Sequence, residues 1–167
     1  ITVKANVAGN HSLKLDAVDF DDLSVTDRQG KDLSFGYDDR FIALDFKDDF
    51  KVDEERVVRI AYSIKNPISG MQFSQPDADR PKFPLYAITD NETERARYWF
   101  PCVDFPTVRS KMEFYLTASK ELTILANGAL ISEEITGELK TAHWKLDYPC
   151  ASYLACFAIG DFSTYED

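Results

Sequence analysis

The chain of 167 residues carries 44% hydrophobic and 13% aromatic residues with only 7 Gly and 7 Pro, enough apolar content to offset the entropy of ordering and to exclude a disordered tail. Nineteen Lys+Arg against 29 Asp+Glu leave a formal charge of −10, which repels a phosphate backbone and excludes nucleic acid as a partner. No apolar stretch approaches the ~20 residues of a membrane-spanning helix, so no membrane association is expected, and the length predicts a single domain over residues 1–167.

In chain order, apolar residues recur at every second position, the period that sends successive side chains to opposite faces of a strand. Ile1/Val3/Ala5/Val7 opens the series, followed by Leu13/Leu15/Ala17, Leu23/Val25, Ile42/Leu44/Phe46 and the longest set, Val58/Ile60/Tyr62/Ile64. Between Asn66 and Thr89 the rhythm lapses, and Pro67, Gly70, Pro76, Pro81 and Pro84 predict one long loop. Beyond it come Met112/Phe114/Leu116, Leu122/Ile124/Ala126, a segment from Leu130, Ala142/Trp144/Leu146 and Tyr153/Ala155/Phe157/Ile159, with turn signals at Asn127-Gly128 and Thr136-Gly137. The pattern predicts an all-β fold of about nine or ten short strands in a mostly antiparallel sandwich or set of open sheets. Only Asn91 to Arg97 has room for a turn of helix.

The acid clusters Asp19/Asp21/Asp22, Asp38/Asp39, Asp48/Asp49 and Asp53/Glu54/Glu55 fall between apolar runs and are expected to be solvated turns. A calcium loop counted from Asp19 would need Gly at its sixth position, where Ser24 stands. Cys102, Cys150 and Cys156 form an odd set in a chain too large to need stapling, which points to a reducing compartment and a cytoplasmic location. The start at Ile1, inside an alternating segment, suggests a piece of a longer polypeptide. His11 and His143, each in a strand-like segment, cannot form an H-E-x-x-H zinc site, and no G-x-S-x-G elbow surrounds a serine. His143 alternates with Ala142 and Trp144 and should face away from the core.

Thr89 to Arg109 differs in kind, because acids and bases are interleaved there with aromatics and prolines at no simple period. Thr89, Glu92, Ala96, Arg97, Phe100, Pro101, Cys102, Asp104 and Pro106 fit without a gap the pattern T-Q-x-E-x-x-x-A-R-x-x-F-P-C-x-D-x-P. That pattern resembles the end of the amino-terminal domain of aminopeptidase N-type (gluzincin) zinc peptidases. Ala126-Asn127-Gly128 resembles the family's S-N-G turn, Thr141 to Trp144 its T-x-x-W strand, and Tyr153 to Phe162 its Y-L-x-x-F-x-x-G-D-F ending.

The resemblance implies a saddle-shaped β domain leaning on a downstream catalytic domain of the same polypeptide, which would bind zinc through H-E-x-x-H and a more distant Glu. No catalytic or metal-binding residue is then expected in this chain, which should be inactive alone. By the same resemblance Glu92 would accept from the free α-ammonium of a peptide substrate, and Asp90, where the family usually has Gln, would border the pocket for the first residue and favour basic side chains there. Arg97 and Asp104 are expected to support the loop that presents Glu92, satisfying one another or nearby carbonyls, with Tyr98, Trp99 and Phe100 packed beneath it. The alternative is a non-catalytic aminopeptidase-like scaffold or protein-interaction module.

Overall fold

A computed structural model describes residues 1–163. Among them are thirteen strands and two single-turn 3-10 helices, and every strand pair is antiparallel. The all-β, open-sheet expectation holds. The chain forms two compact units. The first comprises Ile1–Pro67 and Arg97–Val103, the second Ile68–Ala96 together with the chain from Asp104 onward.

The first unit holds β1 (Thr2–Lys4), β2 (Ser12–Asp16), β3 (Asp21–Asp27), β4 (Ser34–Tyr37), β5 (Phe41–Asp45) and β6 (Glu55–Ser63). They form two three-stranded sheets, ordered β1-β6-β3 and β2-β5-β4. Inward-facing residues of both sheets, Leu15, Val25, Ile42, Leu44 and Val58, join Ala17 and Phe20 in one buried cluster, which the alternation of each strand makes possible. Tyr62 stacks on Phe20 with ring centroids 4.5 Å apart. Asp27 and Asp38, each in an acid-bearing turn, accept from backbone N–H groups two to four residues on, so these carboxylates close turns locally.

In the second unit β7 (Gly70–Ser74), β8 (Tyr86–Asp90), β10 (Thr123–Ala126) and β13 (Phe157–Gly160) form a sheet ordered β10-β13-β8-β7. The other sheet is β11 (Ala129–Thr136), β12 (Leu139–Ala151) and β9 (Arg109–Ser119), with β12 central. Pro149 lies where the pairing of β12 with β9 shifts, between Leu146 and Cys150, and beyond the residues that pair with β11. A residue without an N–H is tolerated at such an irregularity.

The long loop expected between Asn66 and Thr89 is therefore corrected. Its two ends pair with each other as β7 and β8, Gly70 opposite Asp90 and Ser74 opposite Tyr86, and only residues 75–85 connect them. Tyr153 does not begin a strand either: Ser152–Leu154 is a 3-10 turn, and β13 starts at Phe157.

Candidate functional site

Glu92 follows β8 after one intervening residue, Asn91, and opens the turn that leads to the 3-10 helix Ala96–Tyr98. Its neighbours decide its posture. Asn91 is 4% exposed and Ala96 fully buried, while the four residues between them are exposed. Arg95 N–H donates to the Asn91 carbonyl at 3.0 Å, closing the turn, and the Glu92–Thr93 peptide is cis. Among the described residues, no hydrogen bond or ion pair engages the Glu92 carboxylate.

The turn is held from outside its own sequence. The Asn91 amide donates to the carbonyl of Ala155. Thr89 Oγ1 accepts from Phe157 N–H at 3.0 Å. The Asn127 amide donates to Leu154 O at 3.1 Å, and its Oδ1 accepts from Cys156 N–H at 2.5 Å. Three stretches that the sequence singled out separately, the Thr89 motif, the Asn127-Gly128 turn and the Tyr153–Phe162 ending, thus meet on residues 154–157. Side chains take the Leu154 and Ala155 carbonyls and the Cys156 N–H just ahead of β13, and Thr89 Oγ1 takes the N–H of its first residue, Phe157.

Asp90, at the end of β8, is exposed, and Arg95 Nη1 donates to its Oδ2 at 3.1 Å across the turn. Asp104 is 3% exposed and accepts from Ser152 Oγ at 2.6 Å. Arg97 pairs with Asp16 at 3.4 Å in the first unit, and its carbonyl accepts from Val18 N–H at 2.9 Å. Cys102 and Asp16 exchange backbone hydrogen bonds of 2.7 and 3.1 Å. The Trp99 carbonyl accepts from Tyr62 Oη at 2.8 Å, and the Trp99 and Phe100 rings lie 4.5 Å apart. Burial pushes the Tyr62 hydroxyl up to about 12, with the neighbouring Cys102 adding to the shift.

The side-chain contacts of Asn91, Arg95, Asn127 and Ser152 were not foreseen from the sequence. An amide between charged residues was the only local sign of Asn91; the partners of Asn127 and Ser152 lie 27 to 48 residues along the chain, too far for any period to reveal, and Arg95 meets Asp90 across an irregular turn that has none.

Among the described residues no three His, Cys, Asp or Glu side chains gather to hold a metal. His11 Nδ1 lies 3.0 Å from Asp49, and His143 Nε2 lies 2.7 Å from Glu113 with its ring stacked on Tyr115. His143 stands on the face opposite fully buried Ala142, as its parity required. These donors do not fit a zinc site, so no hydrolytic step is assigned to them.

A family model described as the peptidase M1 N-terminal domain matches residues 1–154. Puromycin-sensitive aminopeptidase of Caenorhabditis elegans is 29% identical over 136 residues, 78% of this chain and 14% of its own length. Transcription initiation factor TFIID subunit 2 of Drosophila melanogaster is 28% identical over 116 residues, 66% of this chain and 10% of its own. Aminopeptidase M1-B of Oryza sativa subsp. japonica is 34% identical over 80 residues, 48% of this chain and 9% of its own. The chain thus spans about a tenth of the length of the curated relatives it matches. An M1 zinc metallopeptidase from Deinococcus radiodurans shares the fold at a TM-score of 0.79 and 17% identity, covering 95% of this chain and 36% of that one.

Proposed function

The chain belongs to the peptidase M1 N-terminal domain family, and from that premise we propose that it is the substrate-anchoring amino-terminal domain of a zinc-dependent aminopeptidase. In this reading zinc and hydrolysis belong to a catalytic domain downstream on the same polypeptide. This chain supplies Glu92, which accepts from the free α-ammonium of a peptide and so makes the enzyme count from the amino end. Asp90 borders the pocket for the first residue.

The observation that carries the reading is the posture of Glu92: exposed, with an unengaged carboxylate, on a turn whose flanking residues Asn91 and Ala96 are buried. A turn held in place before the ligand arrives leaves only the Glu92 side chain to be ordered on binding. Its charge-assisted hydrogen bond to an ammonium is worth about 1.5 to 3 kcal/mol. Arg97 and Asp104 act as framework, a role that suits their pairing with Asp16 and Ser152. An odd number of cysteines, three in a chain too large to need stapling, suits a cytoplasmic setting.

Similarity to a transcription factor subunit over 66% of the chain favours a second reading, a non-catalytic scaffold of the same fold. An H-E-x-x-H motif in the downstream sequence decides for the enzyme. In the full-length protein, Glu92→Ala should lower kcat/KM for unblocked aminoacyl substrates by about one to two orders of magnitude. Unchanged kinetics would remove the anchor.

A further inference from the structure

Two other carboxylates, Asp90 at the end of β8 and Glu94 on the turn itself, flank Glu92. Asp90 precedes it by two residues and is half exposed, with 49% of its side chain open to solvent, yet it is already occupied: Arg95 Nη1 reaches back to Asp90 Oδ2 at 3.1 Å. The two side chains straddle the turn whose closing hydrogen bond runs from Arg95 N–H to the Asn91 carbonyl. Resting on the assignment of this turn to the substrate's amino end, we propose that Arg95 is a specificity-determining residue, an internal guanidinium that occupies Asp90 in place of a basic first residue and must be displaced by one.

Three features of the pair support this. First, Arg95 carries the same functional group that an amino-terminal arginine would bring, so the two compete for one carboxylate with the same donor geometry. Second, the pair is open to solvent on both sides, 47% for Arg95. Exposed pairs add little net stability, so a substrate cation can take over the contact without unfolding the turn. Third, with Asp90 paired to Arg95 and Glu94 also engaged, Glu92 is the carboxylate of this segment left open. The turn then offers one open anionic position, enough for the α-ammonium, and no uncompensated charge facing an apolar first side chain. Without Arg95 the site would present two open carboxylates and prefer substrates that bring two cations, an α-ammonium and a basic side chain. The pair therefore widens the range of first residues while keeping basic ones acceptable.

The test is kinetic and uses the full-length enzyme with otherwise identical substrates whose first residue is Arg, Lys or Leu. Arg95→Ala should raise the Arg-to-Leu and Lys-to-Leu ratios of kcat/KM by about two- to fivefold, the range an exposed ion pair commands. Arg95→Lys, which keeps the charge, should stay near the wild-type ratio. In the Asp90→Gln background Arg95→Ala should leave the ratio unmoved, because there is no carboxylate to release, and the gain of the single variant should shrink at high salt. Ratios unaltered by Arg95→Ala, or altered equally in the presence and absence of Asp90, would overturn the proposal. Glu92→Ala assayed alongside keeps the two ideas apart. If it cripples every substrate while Arg95→Ala shifts no ratio, only the displaceable pair is lost; if it changes nothing, the anchor assignment fails and the placement of Asp90 goes with it.

Discussion

At the scale of single residues, the side chains that shape the site are mostly not those that would touch a ligand. Asn91 shows why. Its buried amide donates to the carbonyl of Ala155, 64 residues away in sequence, and the next residue is Glu92. Replacing Asn91 with Ala leaves that carbonyl short of a donor, at a cost of about 1 to 3 kcal/mol. Asn91→Asp should be worse, since it sets a carboxylate against a carbonyl oxygen. We expect the order wild type, Asn91→Ala, Asn91→Asp in urea midpoint. A midpoint for the Asp variant at or above that of the Ala variant would show that the contact is not what holds the turn. The prediction also separates holding from touching: Asn91→Ala should lower stability of this chain on its own, whereas Glu92→Ala, on an exposed side chain without a partner, should not.

At the scale of elements, the strands were legible wherever one face is buried, because alternation is then imposed on the sequence. Leu13/Leu15 became β2, Ile42/Leu44 β5 and Val58/Ile60/Tyr62 β6. The misses have physical causes. β4 carries Gly36 within four residues, and β7 and β8 are five-residue strands flanked by prolines with mostly half-exposed side chains, so no face had to be apolar. Ala5 and Val7 prolong the first alternation in sequence, yet β1 ends at Lys4 and Val7 is 70% exposed. Of the candidate site, Glu92 was singled out through its motif. The pairing of Asp90 with Arg95 was not, because a contact across an irregular turn has no period.

The Asn127-Gly128 signal was also read correctly as a turn, but its service is different from a hairpin's. β10 and β11 belong to different sheets, so the turn is a crossing point, and Gly128 has φ +95°. A Cβ there would lie 2.0 Å from the carbonyl oxygen of Lys145 and 2.7 Å from Leu146 N, both backbone atoms of β12. No side-chain rotation relieves such an overlap. Gly128→Ala should therefore cost more than about 3 kcal/mol. Gly9→Ala, at φ +91° with nothing within 4 Å of the added atom, should cost about 1 to 2 kcal/mol from backbone conformation alone. Paired urea unfolding of the two variants checks the difference, and equal losses would refute the close approach.

At the scale of the whole molecule, the chain crosses between its two units after Pro67, Ala96 and Val103, so that the motif-bearing run from Thr89 to Pro106 contributes to both. Its share of the first unit is fastened at Trp99, whose carbonyl accepts a hydrogen bond from the Tyr62 hydroxyl at 2.8 Å. Tyr62 stacks on Phe20 in the core cluster, and burial raises its hydroxyl from 10 to about 12. The sign follows from linkage. Between those values the unfolded chain has lost the proton and the folded one retains it, so the contribution is fully present below pH 10 and is lost as the pH rises through about 12, amounting to about 2 kcal/mol. Other groups also act in this window. Burial, first among its causes, raises Tyr37 too, and a chain already at −10 repels itself more as further tyrosines ionise. Those terms are common to wild type and Tyr62→Phe. The variant should be less stable than wild type at pH 8, by about 1 kcal/mol for the lost hydrogen bond, yet decline less steeply between pH 10 and pH 11.5, so that the two urea midpoints converge and then cross, at about pH 10.7. Parallel declines would mean that the Tyr62 hydroxyl titrates as it does in the unfolded chain, and that Trp99 is held by packing rather than by that proton.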